Sequence, residues 1–274
     1  GEKAQLQNAW NAQWSHNRYR IYYPKTMGDA VWSMYDYNRG CCDNICYSGV
    51  ADIFRLPKFS LSFFRTQIAE GSMLPSGKMP YEVFSPAYRD EILSDTVMVY
   101  GNVDEVELVL NGKTIRRQTA DKGPDSDYIS VPNGGNGKNL HFPPFTFYGV
   151  SKERGVLKAV GYHQGKKVAE YTVKTPGVPE RLDITYFESG KPATKNDLLI
   201  VYVRVLDKQG VLCPVNGIPV ELSVQGGEIV GPTSYPLEAG VASFLVRTGE
   251  ISKININATG KGFSTRKSLK VGKE

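Results

Sequence analysis

The sequence predicts a mainly β fold, in which two β-sandwiches follow a shorter segment that carries both helix and strand signals. Apolar residues recur at helical spacing within residues 1–72. From residue 96 onward, short strand-like runs are separated by turn signals, and a proline-containing linker at residues 175–179 divides them into two groups. With 41% hydrophobic and 11% aromatic residues among 274, the chain has enough apolar side chains for separate packed cores.

The first predicted element is a helix over residues 2–20. Its apolar, aromatic and amide side chains recur three or four positions apart, so they share one face that packs against the rest of the chain. The residues of this face are Leu6, Ala9, Trp10, Gln13, Trp14 and Asn17.

Residues 28–65 read as one strand, loop and helix unit. The apolar run 30–35 predicts a buried strand, because it is too short for an ordinary helix. Polar residues follow it and predict a loop at the end of that strand. Pro57 then opens a helical pattern that includes Phe59 and Phe63, a position that proline tolerates because its missing N–H has no helical partner there.

The two later regions consist of short strand-like runs. The first group is predicted at residues 96–100, 106–110, 114–118, 128–131, 146–148, 156–162 and 167–173. The second is predicted at residues 183–187, 199–206, 219–224, 241–247 and 253–258. Asn111-Gly112 and Gln164-Gly165 are turn signals between paired strands. This number and spacing of short strands is typical of immunoglobulin-like sandwiches.

Composition and charge argue against several classes of function. The net charge of +5 comes from 33 basic and 28 acidic residues that are scattered along the chain, so no nucleic-acid surface is expected. No apolar run approaches the ~18 residues of a membrane helix, so no membrane span is expected.

The cysteines leave two alternatives open. Cys41, Cys42 and Cys46 are clustered, whereas Cys213 is distant, and the histidines show no pairing with the cluster. A zinc site usually needs four ligands, so we predict no metal and no cofactor. A disulfide from Cys46 to Cys41 or Cys42 and a loop with free thiols both fit the spacing.

Several motifs resemble glycoside hydrolase family 2, the family of β-galactosidases and β-glucuronidases. QNAWNAQWSHN, GDAVWSMYDYNRG and YSGVADIFRLPKFS resemble the end of its catalytic (β/α)8 barrel. DEVELVLNGKTI and DLLIVYVRVLDKQGVLCP resemble the sandwiches that follow it. The resemblance implies a TIM-barrel remnant at residues 1–72 and immunoglobulin-like sandwiches at residues 78–176 and 179–274.

The resemblance also implies the activity. It describes the C-terminal part of a retaining exo-acting glycosidase, most like a β-galactosidase, that hydrolyses terminal β-glycosides and uses its sandwiches as braces. The alternative is a non-catalytic carbohydrate-binding or structural module. In the family both catalytic glutamates precede the matched region, so no catalytic residue is assigned to this chain, and Glu2 and Glu70 receive no role.

The substrate-binding residues implied by the match are Trp32, Asp36, Asn38 and Arg39. Trp32 stands where the family places an aromatic wall of the sugar site, and core filling is its structural alternative. The three polar residues either hydrogen-bond sugar hydroxyls or tie the loop down.

The expected partner is therefore a carbohydrate, and the expected location is periplasmic or extracellular in a bacterium. The predicted strand 30–35 lacks neighbours on both edges. We expect the remnant to pack on the first sandwich, to pair with another copy as a homo-oligomer, or to be poorly ordered.

Overall fold

The computed structural model describes residues 1–40, 44–122, 137–187 and 191–272. The chain forms two compact units, one over residues 2–175 and one over residues 176–274. In the described ranges there are two helices, α1 (Glu2–Arg20) and α2 (Phe59–Thr66), and the rest of the regular structure is β. The predicted mainly β fold class is confirmed. The predicted domain boundary near residues 72–78 stays a prediction. The residues before and after it lie in the same compact unit.

Short strand pairs lie between the two helices and between α2 and the first sandwich. Two small antiparallel pairs come first, namely β1 (Tyr37–Asn38) with β2 (Ile45–Cys46) and β3 (Met73–Leu74) with β4 (Gly77–Lys78). The sandwich itself contains β5 (Val83–Phe84), β6 (Val97–Gly101), β7 (Glu105–Leu110), β8 (Lys113–Thr119), β9 (Phe145–Phe147), β10 (Val156–His163) and β11 (Lys166–Lys174).

Two sheets make up this sandwich. One has the strand order β5-β6-β9 and the other has the order β11-β10-β7-β8, and all of their pairs are antiparallel. Val99, Leu108, Phe145 and Leu157 from both sheets meet in one buried core. The turns between β7 and β8 and between β10 and β11 have positive φ at both central residues, as Asn-Gly and Gln-Gly predict.

Strand β6 is buried on both faces, and this explains its composition. All five residues of VMVYG are buried. Val97 and Val99 point into the sandwich core, while Met98 and Tyr100 pack against Leu6 and Phe63 of the two helices. The Tyr100 hydroxyl donates to Gln13 Oε1 at 2.9 Å, and burial raises the pKa of Tyr100 well above its usual value. The two helices thus pack on the first sandwich. This is one of the three outcomes expected for residues 1–72.

The start of α1 is held by a buried carboxylate. Glu2 is fully buried, and its two oxygens accept five successive backbone N–H groups from a turn that precedes β6. These donors are Tyr88 at 2.8 Å, Arg89 at 2.8 Å, Asp90 at 3.1 Å, Glu91 at 2.9 Å and Ile92 at 3.2 Å. Arg89 has φ 56°, a left-handed conformation that lets successive N–H groups converge on one anion. We call this turn, residues 88–92, the Glu2 nest.

The second unit is also a sandwich of two four-stranded sheets, with the orders β12-β13-β17-β15 and β16-β14-β18-β19. Its strands are β12 (Arg181–Tyr186), β13 (Leu198–Leu206), β14 (Pro219–Gln225), β15 (Gly227–Ile229), β16 (Ser234–Pro236), β17 (Val241–Thr248), β18 (Lys253–Gly260) and β19 (Phe263–Lys270). Val201, Val203 and Phe244 from one sheet pack on Val220 and Ile256 from the other.

Most predicted strands are present within a few residues. Strands β1 to β5, β15, β16 and β19 were not predicted. The predicted strand at residues 128–131 lies outside the described residues. Neither helix of the described ranges combines the length and hydropathy needed to cross a bilayer.

A buried aspartate anchors the start of the second unit. Asp207 Oδ2 accepts Gly177 N–H at 2.7 Å, and its Oδ1 accepts the N–H groups of Gln209 at 2.9 Å and Val211 at 2.8 Å. The Gly177 N–H, helped by the others, lowers the pKa of Asp207 below its ordinary value. A depressed folded-state pKa contributes stability above the unfolded-state pKa, and that stability is lost as pH falls through the folded-state pKa.

We therefore expect Asp207→Asn to lower the melting temperature at pH 7, because the amide replaces a charged acceptor. The difference from the parent chain should shrink as pH falls below about 4, the usual aspartate value. Thermal denaturation from pH 3 to pH 8 measures this, with the exposed Glu180→Gln as the matched control. A difference that stays constant over this range would contradict the assignment.

Candidate substrate-binding segment

The predicted strand 30–35 is not formed as a regular strand. Its last residues run beside residues 50–51, through hydrogen bonds from Val50 N to Ser33 O at 3.1 Å and from Ala51 N to Met34 O at 3.0 Å. Asp36 N in turn donates to Ala51 O at 3.0 Å. Extended backbone needs a partner strand to become regular, and here residues 30–32 have no ladder partner in the described part of the chain.

Asp36 closes the loop that follows. It is 5% exposed, and its Oδ1 accepts Lys58 Nζ at 2.6 Å and Gly49 N–H at 2.9 Å. Lys58 Nζ also donates to Tyr47 O at 3.1 Å. A Cβ at Gly49 would lie 2.3 Å from Asp36 N, so only glycine permits this approach. These contacts match the loop-tying alternative for Asp36.

Trp32 is the most prominent side chain of the segment. It is 76% exposed in the described chain. Its indole Nε1 donates to Tyr37 Oη at 2.9 Å, and the two rings meet edge to face at 6.2 Å and 83°. The peptide bond between Trp32 and Ser33 is cis. The bond to Tyr37 holds one edge of the indole and leaves most of its surface accessible.

Asn38 and Arg39 lie at the turn that leaves β1, and both are exposed. Asn38 Oδ1 accepts Gly40 N–H at 2.9 Å, a local bond that shapes the turn. Arg39 Nη2 donates to Cys46 Sγ at 3.1 Å. The β1–β2 register pairs Tyr37 with Cys46, so the segment brings both the aromatic pair and Arg39 to one end of this ribbon.

Cys46 is a free thiol in the structure. Hydrogen bonds from Ser48 and then Tyr37, together with the Arg39 guanidinium, lower the pKa of Cys46 to about 7. The thiolate in turn raises the pKa of Arg39. Cys41 and Cys42 lie outside the described residues. Sequence reasoning singled out neither Tyr37 nor Cys46 as a site residue, although their pairing across a short ribbon follows once its register is known.

Exposed apolar side chains surround this ribbon and the end of α1. They are Tyr19, Ile21, Tyr22, Tyr23, Met27, Val31, Trp32, Met34, Tyr35, Tyr47 and Ile53. Extensive exposed apolar surface marks interaction sites in soluble proteins. Among the described residues, no cluster of three or more His, Cys, Asp or Glu side chains could hold a metal ion.

The family model described as "Domain of unknown function (DUF4982)" matches residues 94–169. A β-galactosidase of Thermoanaerobacter pseudethanolicus is 32% identical over 82% of this chain, which spans 30% of that protein's length. A β-galactosidase of Rhizobium radiobacter is 30% identical over 46% of this chain and 92% of its own length. The chain belongs to glycoside hydrolase family 2.

A solved structure shows the same fold. The crystal structure of a β-glycosidase from Bacteroides vulgatus has a TM-score of 0.68 and 18% identity, and the match covers 93% of this chain and 32% of that chain. At this identity the likeness concerns the fold alone. The chain thus spans about 30% of the length of the first curated relatives.

Proposed function

We propose that this chain is part of a retaining exo-acting glycosidase that hydrolyses terminal β-galactosides. Within that enzyme, residues 28–58 supply part of the sugar site and the two sandwiches brace the catalytic domain. The observation that carries the proposal is Trp32, an exposed and edge-anchored indole on a chain of glycoside hydrolase family 2. The β-galactosidase names of its relatives favour galactoside over glucuronide.

The chemistry assigned to this chain is binding rather than bond cleavage. Retaining hydrolysis uses two carboxyl groups about 5 Å apart, and the family resemblance places both before the matched region. An indole face lies well against the C–H face of a pyranose. Arg39 and Asn38 are exposed beside it and carry donors suited to sugar hydroxyls, whereas Asp36 fixes the loop through Lys58 and Gly49.

The exposed apolar surface around the segment supports the same proposal. In an intact barrel, the neighbouring strands would cover Val31 and Met34 and would pair with the extended residues 30–35. This chain leaves those side chains in solvent. We further propose a periplasmic or extracellular location for the enzyme.

The alternative of a carbohydrate-binding sandwich is less well supported. Sugar-binding sheet faces present aromatic side chains in a flat row. In the described residues of the two sandwiches, the aromatic side chain with a mostly exposed surface is Tyr148, at 57%. Bracing therefore suits the sandwiches better than sugar binding.

We expect Trp32→Ala in the full-length enzyme to lower kcat/KM about thirtyfold, since it removes a desolvated contact of about 2 kcal/mol. Trp32→Phe should lower kcat/KM much less, because phenylalanine keeps a flat aromatic ring. Kinetics on nitrophenyl β-galactoside measure both variants, with nitrophenyl β-glucuronide as the competing substrate. Deleting residues 178–274 should change kcat/KM far less than Trp32→Ala does. Unchanged kcat/KM in a folded Trp32→Ala enzyme would contradict the binding role, and preference for the glucuronide would contradict the sugar assignment.

A further inference from the structure

The Trp32 side chain must be held in one orientation to form part of a sugar-binding site. An exposed indole with two free side-chain torsions samples several rotamers, and fixing it only when sugar arrives would reduce affinity. In the described part of the chain, both the hydrogen bond and the ring contact of this indole are made with Tyr37. Tyr37 therefore selects the orientation of Trp32 before any ligand binds.

Tyr37 is itself held by the strand pair in which it lies. Its backbone pairs with Cys46 across the β1–β2 ribbon. Its hydroxyl oxygen accepts the Trp32 indole N–H at 2.9 Å.

The Cys46 sulfur accepts a hydrogen bond from Arg39. Arg39 Nη2 lies 3.1 Å from Cys46 Sγ, and Ser48 Oγ lies 3.4 Å from it. Trp32 and Arg39, both predicted to contact the sugar, thus contact Tyr37 and Cys46, which face each other in one strand pair. Because all four residues lie in or beside one short ribbon, their relative orientation is fixed locally.

We infer that Tyr37 is a positioning residue for the sugar site, which orients the Trp32 indole. This inference rests on the proposed function for its kinetic consequence. Its structural part concerns the chain alone. Tyr37 has no assigned contact with substrate, so its effect must pass through Trp32.

The first test uses the 274-residue chain and the NMR signal of the Trp32 indole N–H, assigned by its loss in Trp32→Phe. We expect Tyr37→Phe to shift this signal and to increase its exchange with water, because the acceptor is removed. Tyr47→Phe is the matched control, since Tyr47 is an exposed tyrosine of the same segment. An indole signal and exchange rate unchanged by Tyr37→Phe would overturn the inference.

The second test is a double-mutant cycle in the full-length enzyme. Tyr37→Phe should lower kcat/KM about fivefold, the scale of one hydrogen bond, mainly through a higher KM. In the Trp32→Ala background it should have no further effect, because coupled residues are not additive. Additive losses would indicate a general structural role and would overturn the inference.

The two tests separate the inference from the proposed function. A full-length enzyme without glycosidase activity would refute the proposed function and, with it, the kinetic part of the inference. The NMR test on the chain alone would still decide whether Tyr37 orients Trp32. If the enzyme is active and Tyr37→Phe leaves its kcat/KM unchanged, the inference is refuted and the proposed function is not.

Discussion

Replacing Glu2 with alanine is expected to lower the free energy of unfolding of the first unit by about 3 kcal/mol. The carboxylate accepts five backbone N–H groups of the Glu2 nest, and its loss leaves them without this acceptor. The neighbouring Arg89 is also buried, and Glu2 is the charge that offsets the lowering of the Arg89 pKa by burial. For a unit of this size, the melting temperature should fall by roughly 10 °C.

Two further variants make this prediction specific. Glu2→Gln keeps the shape and one acceptor oxygen, so it should lose less stability than Glu2→Ala. Lys3→Ala alters an exposed neighbour on α1 and should stay within about 0.5 kcal/mol of the parent chain. Chemical denaturation followed by circular dichroism measures all three. Equal unfolding midpoints for Glu2→Ala and Lys3→Ala would show that the nest contributes no stability.

The 274-residue chain by itself is expected to hydrolyse no β-galactoside. A general acid alone contributes about 10²- to 10⁴-fold to such a reaction, and a retaining enzyme also needs its nucleophile. The family resemblance places both upstream, so the rate of the chain should match that of buffer. The measurement is release of nitrophenol from nitrophenyl β-galactoside, with the full-length enzyme as the positive control.

A contaminating glycosidase is the main source of error in that assay. Any turnover must therefore be compared between the parent chain and its Asp36→Asn, Glu70→Gln and Glu82→Gln variants, prepared in the same way. Turnover that one of these changes abolishes would place catalytic chemistry in this chain and contradict our account. Turnover that survives all of them would be attributed to the contaminant.

The regular parts of the fold were predictable because their signals are local. Helix α1 was predicted with its observed bounds from its apolar spacing. Buried residues alternate along strand β7. The β7–β8 and β10–β11 hairpins carry turn residues with positive φ. Strand β19 was missed because its sequence FSTRKSLK is polar and charged. Its position as the outer partner of β18 is what makes it a strand, and only the three-dimensional structure reveals that.

The irregular parts depend on contacts between distant residues. Residues 30–35 have an apolar composition suited to a buried strand, yet in the described chain only residues 33–35 run beside a partner, and on one side. The hydrogen bonds between Glu2 and the Glu2 nest join residues more than eighty positions apart, and no sequence motif predicts them. Asp36 was recognised as either a ligand or a loop anchor, and its pairing with Lys58 required the fold of the intervening loop. Trp32 was singled out from the family match, whereas its anchor Tyr37 became visible through the β1–β2 register.

The most direct test of the central claim is a crystal structure of the full-length enzyme with a trapped glycosyl intermediate, formed from a 2-fluoro β-galactoside. A retaining mechanism forms such a covalent intermediate. Our account predicts that the Trp32 indole packs against the C–H face of the bound galactosyl ring, that Tyr37 Oη holds the indole N–H, and that neither sandwich contacts the reacting carbon. A structure in which Trp32 is buried in the barrel interior, away from the sugar, would contradict the account.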